Sequence, residues 1–246
     1  MLHSKYALAG AVFALFTLSG CGTFDTVVEK TSELVKDTKA LVKKALPRDG
    51  LDWPSGEGVR NFTIDDEASE VVMRVYRAGR LSKFGHNHVI QAKGLRGRAA
   101  VTSDLEDSAF ELQTPLAQWE IDDPDLRARS GKDFETKPSK EDIQGTRSNM
   151  MGEKGLEADK FPVLSMSGNF EQGDDGQVLN ASIRLHGVDH ELTIPASLVI
   201  SGNEMRVIGN FHINQSDFGI KPLSLLFGAL RVRDEVEVRF SLVLIE

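Results

Sequence analysis

Between Gln177 and Arg206 the chain alternates apolar and polar residues at mostly period-two spacing. Val178, Ile183, Leu185, Leu192, Ile194, Leu198 and Ile200 are the apolar members. A period of two is the mark of half-buried strands with one face turned to a core. Tight-turn sequences punctuate the run at His186-Gly187-Val188-Asp189 and at Ser201-Gly202-Asn203-Glu204. Antiparallel strands therefore follow one another with short links, and the meander continues through 207–213. A buried and an exposed face on every strand, with no helices between strands, calls for a sheet that closes on itself.

The same pattern recurs elsewhere. Strands are expected at 60–64, 70–77, 89–102, 109–113, 116–121, 163–170 and 235–244, the last with Val236, Val238, Phe240, Leu242 and Leu244 alternating cleanly. Gly94 and Gly97 inside the third of these mark a sharp bend or a bulge. Residues 122–160 break the β pattern. One helical turn is expected at 124–129 and a longer helix at 139–151, with Ser139 as its N-cap and Asp142 three residues on. The expected fold is thus mainly all-β: a single antiparallel barrel over 60–246 with a helical insertion between about 122 and 156.

Upstream of this domain the chain reads as targeting and tether. Lys5 supplies a positive start, 6–18 is an uncharged apolar run, and Ser19 and Gly20 are small residues preceding a cleavage point. The run is too short to span a bilayer, which takes ~20 residues. Leu18-Ser19-Gly20-Cys21 resembles the lipobox of bacterial lipoproteins. That likeness implies a signal peptide at 1–20, acylation at Cys21 and, with Gly22 following, sorting to the outer membrane facing the periplasm. Residues 21–59 form the acylated N-terminus, an amphipathic helix at 24–46 and a Pro/Gly linker at 47–58. The helix carries Val27/Val28, Leu34/Val35 and Leu41/Val42 on one stripe. It is expected to lie on the membrane, pack on a partner, or serve as a stalk.

Composition narrows the function. Cys21 is the only cysteine, so no intramolecular disulfide can form. The formal net charge is −8, and removing the leader takes away one further positive charge, Lys5. Nucleic acid, which wants a basic footprint, is excluded as a partner. No Gly-x-Ser-x-Gly elbow or phosphate loop appears, and no catalytic residue is assigned. The carboxylates of Asp122-Asp123-Pro124-Asp125 read as a solvated, helix-starting cluster. Arg127, Arg129 and Arg147 read as surface residues of the insertion, one of which could meet a polar head group. His86 and His88, two apart on an extended segment, point to one face. That geometry suits two ligands of one metal, a contact with a ligand's head group, or a structural role at the barrel mouth. His186, beside Gly187, reads as a turn residue.

Several segments together resemble the YceI family of lipocalin-like bacterial periplasmic proteins. They are Phe62-Thr63-Ile64-Asp65 with Ser69, the histidine segment 86–88, 156–162 before a strand, Leu185-His186-Gly187-Val188, and 213–220 (INQSDFGI). The resemblance implies an eight-stranded antiparallel barrel with an elongated apolar cavity that binds polyisoprenoid lipids or isoprenoid quinones, without enzymatic activity. It turns bulky residues that would otherwise fill a core into expected ligand contacts: Phe84, His86, His88, Met150, Phe211, Phe218 and Phe227. A carrier for a quinone or polyprenyl lipid is therefore the expected function, with a His86/His88 metal-binding or redox protein as the alternative. Expected partners are a hydrophobic small molecule and, through the acyl chains, the membrane; a homodimer is left open. The paired histidines, His190 and the stretch 222–234 set the chain apart from the family pattern.

Overall fold

In the turn between Leu185 and Val188, His186 and Gly187 both adopt left-handed backbone angles, with φ of 53° and 77°. Two consecutive positive φ values make the two-residue hairpin link whose twist matches that of its strands. Leu185 and Val188 are brought into register on either side. A Cβ on Gly187 would meet the Phe161 ring at 2.6 Å, so both backbone angle and space require glycine. Gly187→Ala is expected to cost about 1–3 kcal/mol, seen as a shifted urea midpoint with an unchanged slope; an unshifted midpoint would refute this.

The computed structural model describes residues 53–173 and 176–246. Twelve strand segments occur among them: β1 (Arg60–Ile64), β2 (Glu70–Ala78), β3 (His88–Ala92), β4 (Arg96–Val101), β5 (Ala109–Pro115), β6 (Glu120–Ile121), β7 (Val163–Gly173), β8 (Gly176–Leu185), β9 (Val188–Ser201), β10 (Glu204–Asn214), β11 (Ser224–Leu225) and β12 (Leu230–Ile245). The α-helices among the described residues are α1 (Pro124–Arg129) and α2 (Lys140–Met151). No helix among the described residues is long and apolar enough to cross a membrane.

Neighbouring strands pair antiparallel in the order β1-β4-β5-β7-β8-β9-β10-β12, and β12 returns to β1 through Thr63↔Ile245 and Ile64↔Leu244. The sheet therefore closes as the expected eight-stranded antiparallel barrel. β12 is long enough to pair with β1 at one end and with β2 at the other, and β2 leads on to β3 and β6. β1/β2 and β3/β4 are thus each one barrel strand interrupted by a break. Gly94, at φ 68°, sits in the break between β3 and β4, where the sequence suggested one continuous bent strand.

Alternation places one face of each strand inside. Toward the β9–β10 turn the interior holds Phe62, Phe110, Phe170, Leu179, Ile194, Met205 and Phe240. Toward the opposite end it holds Leu116, Trp119, Leu156, Ile183, Phe218 and Val236, against which Ile143, Met150 and Met151 pack. Each such Leu, Ile or Phe contributes roughly 1.5–3 kcal/mol on burial. With no disulfide available to the chain, these clusters are the principal source of stability.

The insertion leaves the wall after β6 and returns at β7, covering the end where His88, the β8–β9 turn and the β10 terminus lie. Both helix starts follow from local chemistry. Asp123 accepts hydrogen bonds from the Asp125 and Leu126 N–H groups, with Pro124 at the first helical position. Ser139 and Asp142 form a reciprocal capping box. Two strand expectations change in detail. Residues 116–118 form a 3-10 turn because Trp119 N–H bonds back to the Leu116 carbonyl at 3.1 Å, leaving only β6 extended. The last strand starts at Leu230, five residues before 235, because β11 and the end of β2 pair with it there. The expected signal peptide, acylated Cys21 and 24–46 helix lie outside the described residues, as does the linker up to residue 52.

Candidate functional site

Side chains pointing into the barrel leave a cavity of about 100 Å³. Its walls include Met205 and Leu244 near the β9–β10 turn and Trp119, Ile183 and Ile213 near the helical end. Between them lie Met73, Leu112, Met166, Phe211 and Val238. Period-two geometry explains the set. On β10, Met205, Val207, Phe211 and Ile213 face inward, and on β12 Val238, Phe240, Leu242 and Leu244 do.

Almost nothing polar reaches this space. Thr114 borders it, but its hydroxyl donates to the Lys93 carbonyl at 2.8 Å and accepts from the Trp119 indole N–H at 3.0 Å. Arg98 and Glu111, also at the margin, pair with each other at 2.6 Å. An apolar space of this kind favours an apolar guest. Met73, Met166 and Met205 give the wall side chains that can change rotamer to widen the space.

Over the helical end a buried polar knot holds the insertion down. Asp122 is only 3% exposed and has a φ of 58°, a left-handed angle that Asp tolerates better than most residues. One carboxylate oxygen accepts from the Val89 N–H at 3.0 Å and from the Arg127 guanidinium. The other lies 2.6 Å from His88 Nδ1. Burial alone would raise the Asp122 pKa; the hydrogen bond and charge of His88, the Val89 N–H and Arg127 outweigh it and hold the carboxyl below the ordinary aspartate value.

Arg127, 6% exposed, also donates to the Asn87 carbonyl at 2.8 Å and to the Thr136 carbonyl. Asn87 completes the knot: it accepts from the Arg77 N–H at 3.0 Å and donates to the Asp133 carbonyl at 2.8 Å. Beside it, Phe134 is buried against Val72, Val89 and Leu126 on the outer face of the barrel, with Tyr76 packed alongside. Asp122 and Arg127 thus depart from the solvated cluster and surface arginine expected of them. The reason is the turn at Asp122, which folds α1 back over β3.

In contrast, α2 has no fully buried residue. It rests on Ile143, Met150 and Met151, on an Arg147 bond to the Trp119 carbonyl, and on the approach of His86 Nε2 to Asp142 at 3.7 Å. An element held this lightly over a barrel end belongs to the low-stability part of a fold, from which lids are drawn.

The structure separates the expected contact residues into four groups. Phe211 lines the cavity. Met150 and Phe218 pack in the cluster at the helical end, Phe218 fully buried. His86 and His88 do come together, with ring centres 6.3 Å apart, but each turns to a different carboxylate, Asp142 and Asp122. Among the described residues no three His, Cys, Asp or Glu side chains converge as a metal site. Phe84 and Phe227 stand outside the cavity on the surface. His186 lies 2.9 Å from the Phe218 carbonyl and 2.8 Å from the Glu157 carboxylate, tying the turn to the segment before β7.

Comparison with known proteins places this architecture. BcnA from Burkholderia cenocepacia superposes with a TM-score of 0.54 at 13% identity, covering 73% of this chain and 98% of that one. The Campylobacter jejuni YCEI protein gives 0.40 at 10% identity, covering 82% and 95%. No curated protein sequence matches the chain. A YceI-like domain is matched over residues 62–244, from the first barrel strand into the last, and by that match the chain belongs to the YceI family.

Proposed function

We propose that the barrel is a non-catalytic binding protein or carrier for an amphiphilic isoprenoid, a quinone or polyprenyl lipid, with its apolar tail in the cavity. The carrying observation is the wall itself, apolar along its length, with Arg98, Glu111 and Thr114 as its polar members. Each buried CH₂ favours binding by ~0.8 kcal/mol before losses. A chain of isoprene units therefore gains affinity along this apolar wall. The head group stays at an end, where polar groups lie. The narrowness of the cavity favours a thin tail over a bulky fused-ring molecule, and its methionines allow it to widen. Membership of the YceI family supports the reading. In the same proposal the chain is a lipoprotein acylated at Cys21 and held to the outer membrane on its periplasmic side.

The full chain purified from cells and extracted with organic solvent should yield about one isoprenoid per protein by mass spectrometry. Where the site is emptied, added prenylated quinone should raise the melting temperature, because a ligand bound only by the native state stabilises it. If extraction gives no isoprenoid and added quinone leaves the melting temperature unchanged, the carrier reading fails.

A further inference from the structure

Four of the seven large apolar side chains exposed among the described residues crowd onto one tip: Phe84, Leu225, Leu226 and Phe227. The segments that carry them, the loop between β2 and β3 and the stretch from β11 to β12, pack on each other. The Leu81 N–H bonds the Ala229 carbonyl at 2.7 Å, and Gly79 and Gly85 lie against Ala229 and Leu230. Leu226 and Phe227 are both held at positive φ, 52° and 56°. This is a conformation non-glycine residues adopt at a cost of order 1–3 kcal/mol each. It projects Phe227 so far that its relative exposure is 110%. Nothing in packing accounts for an apolar side chain displayed this way. Contiguous exposed apolar residues mark interaction surfaces.

The charge around the tip says what kind. Residues 77–88 and 219–233 hold Arg77, Arg80, Lys83, Lys221, Arg231 and Arg233 and no Asp or Glu, in a chain whose net charge is −8. Arg80, Lys83, Lys221, Arg231 and Arg233 are exposed, and none is in an ion pair among the described residues. Lys83 instead lies over the Phe84 ring, with 5.0 Å to its centre, so apolar and cationic groups share the same point. A protruding apolar point ringed by cations outside ion pairs is poorly shaped for a flat protein interface, which needs roughly 800 Å² per partner. It suits a lipid surface, where Phe and Leu enter the headgroup boundary and Lys and Arg meet anionic phosphates.

We propose that this tip is a membrane-docking element for bilayers containing anionic phospholipid, and that it turns the helical end of the barrel toward the lipid. The inference is independent of which molecule the cavity takes. It also differs from acyl anchoring at Cys21, because it rests on side chains of the barrel domain and is reversed by salt.

The chain has a single cysteine, so Cys21→Ser with Phe227→Cys gives a full-length protein that takes one solvatochromic label at the tip. On vesicles of phosphatidylethanolamine with phosphatidylglycerol, the emission should shift to the blue. Pure phosphatidylcholine should give little shift, and salt at about 1 M, where the Debye length is ~3 Å, should reverse most of the binding. Adding Arg80→Glu and Arg231→Glu should weaken vesicle binding at least tenfold with an unchanged melting temperature. An unlabelled pair checks the label itself: Leu226→Ser with Phe227→Ser should reduce vesicle co-flotation of the Cys21→Ser chain. Equal flotation of that pair, or a label that stays in water on anionic vesicles, overturns the proposal. So does a label that becomes buried without vesicles as protein concentration rises, which would make the tip a contact between copies of the chain.

Discussion

Asp122→Asn is expected to lower the melting temperature by roughly 10 °C. The substitution keeps size and shape, and Asn accepts the left-handed backbone angle that Asp122 adopts, so the change reads the charge. It leaves the Arg127 guanidinium, 6% exposed, without its carboxylate. Breaking a buried pair from one side typically costs about 3–5 kcal/mol, and a domain of this size loses roughly 2–4 °C per kcal/mol.

The effect has a pH signature. The folded-state pKa of Asp122 lies below its ordinary value, so its contribution is fully present above the unfolded pKa of about 3.9 and disappears as pH falls through the lower folded value. The gap in melting temperature between wild type and variant should therefore be widest at neutral pH and close on acidification below about pH 4. Calorimetry of both proteins from neutral pH down to about pH 2.5 checks this. A gap that is constant across that range, or one of less than about 2 °C at pH 7, would show that the knot does not hold the insertion to the barrel.

The second large effect concerns the cavity. Val207→Phe with Leu164→Phe places bulk in the wall toward each end of the space. Overpacking of this kind costs about 1–3 kcal/mol per site, so the variant should melt a few degrees lower and remain folded. Its response to ligand should disappear. Wild type emptied of ligand gains about 2.7 kcal/mol at one hundred times the dissociation constant, roughly 5–10 °C for a domain of this size. A filled variant that still gains this shift would place the ligand outside the barrel.

The barrel wall and the α2 cap are legible in the sequence. Alternation fixes which residues face in, since a strand reverses side at every residue. Naming Phe211 as a contact already implies Met205, Val207 and Ile213, all in the wall. The spacing of Ser139 and Asp142 shows the α2 cap for a similar reason: a capping box is complete within four residues.

What the sequence hides depends on chain reversals. The run of carboxylates at 122–125 looks like a solvated helix start, and Asp123 does serve as one. Its neighbour is buried because the chain turns at Asp122, and only that turn brings Arg127, Val89 and His88 to one carboxylate. Phe84 and Phe227 mislead in the opposite direction, since an aromatic residue is assigned inside by default. Both sit in stretches without period-two alternation and among basic residues outside ion pairs, which is the signal that they belong to a surface element. The alternation hides Trp119 as a cavity residue because it predicts a strand where a 3-10 turn swings the indole inward.

Trp119 also offers the most direct test of the central claim, because its indole borders the cavity. The other tryptophan, Trp53, lies under the Arg98 guanidinium at 3.9 Å and can be removed as Trp53→Phe. Titration of that emptied protein with a prenylated quinone should quench Trp119 emission saturably at one quinone per chain, and the quenching should be lost when Val207→Phe and Leu164→Phe are added. Quenching that never saturates, or that survives in the filled variant, would contradict a ligand held inside the barrel.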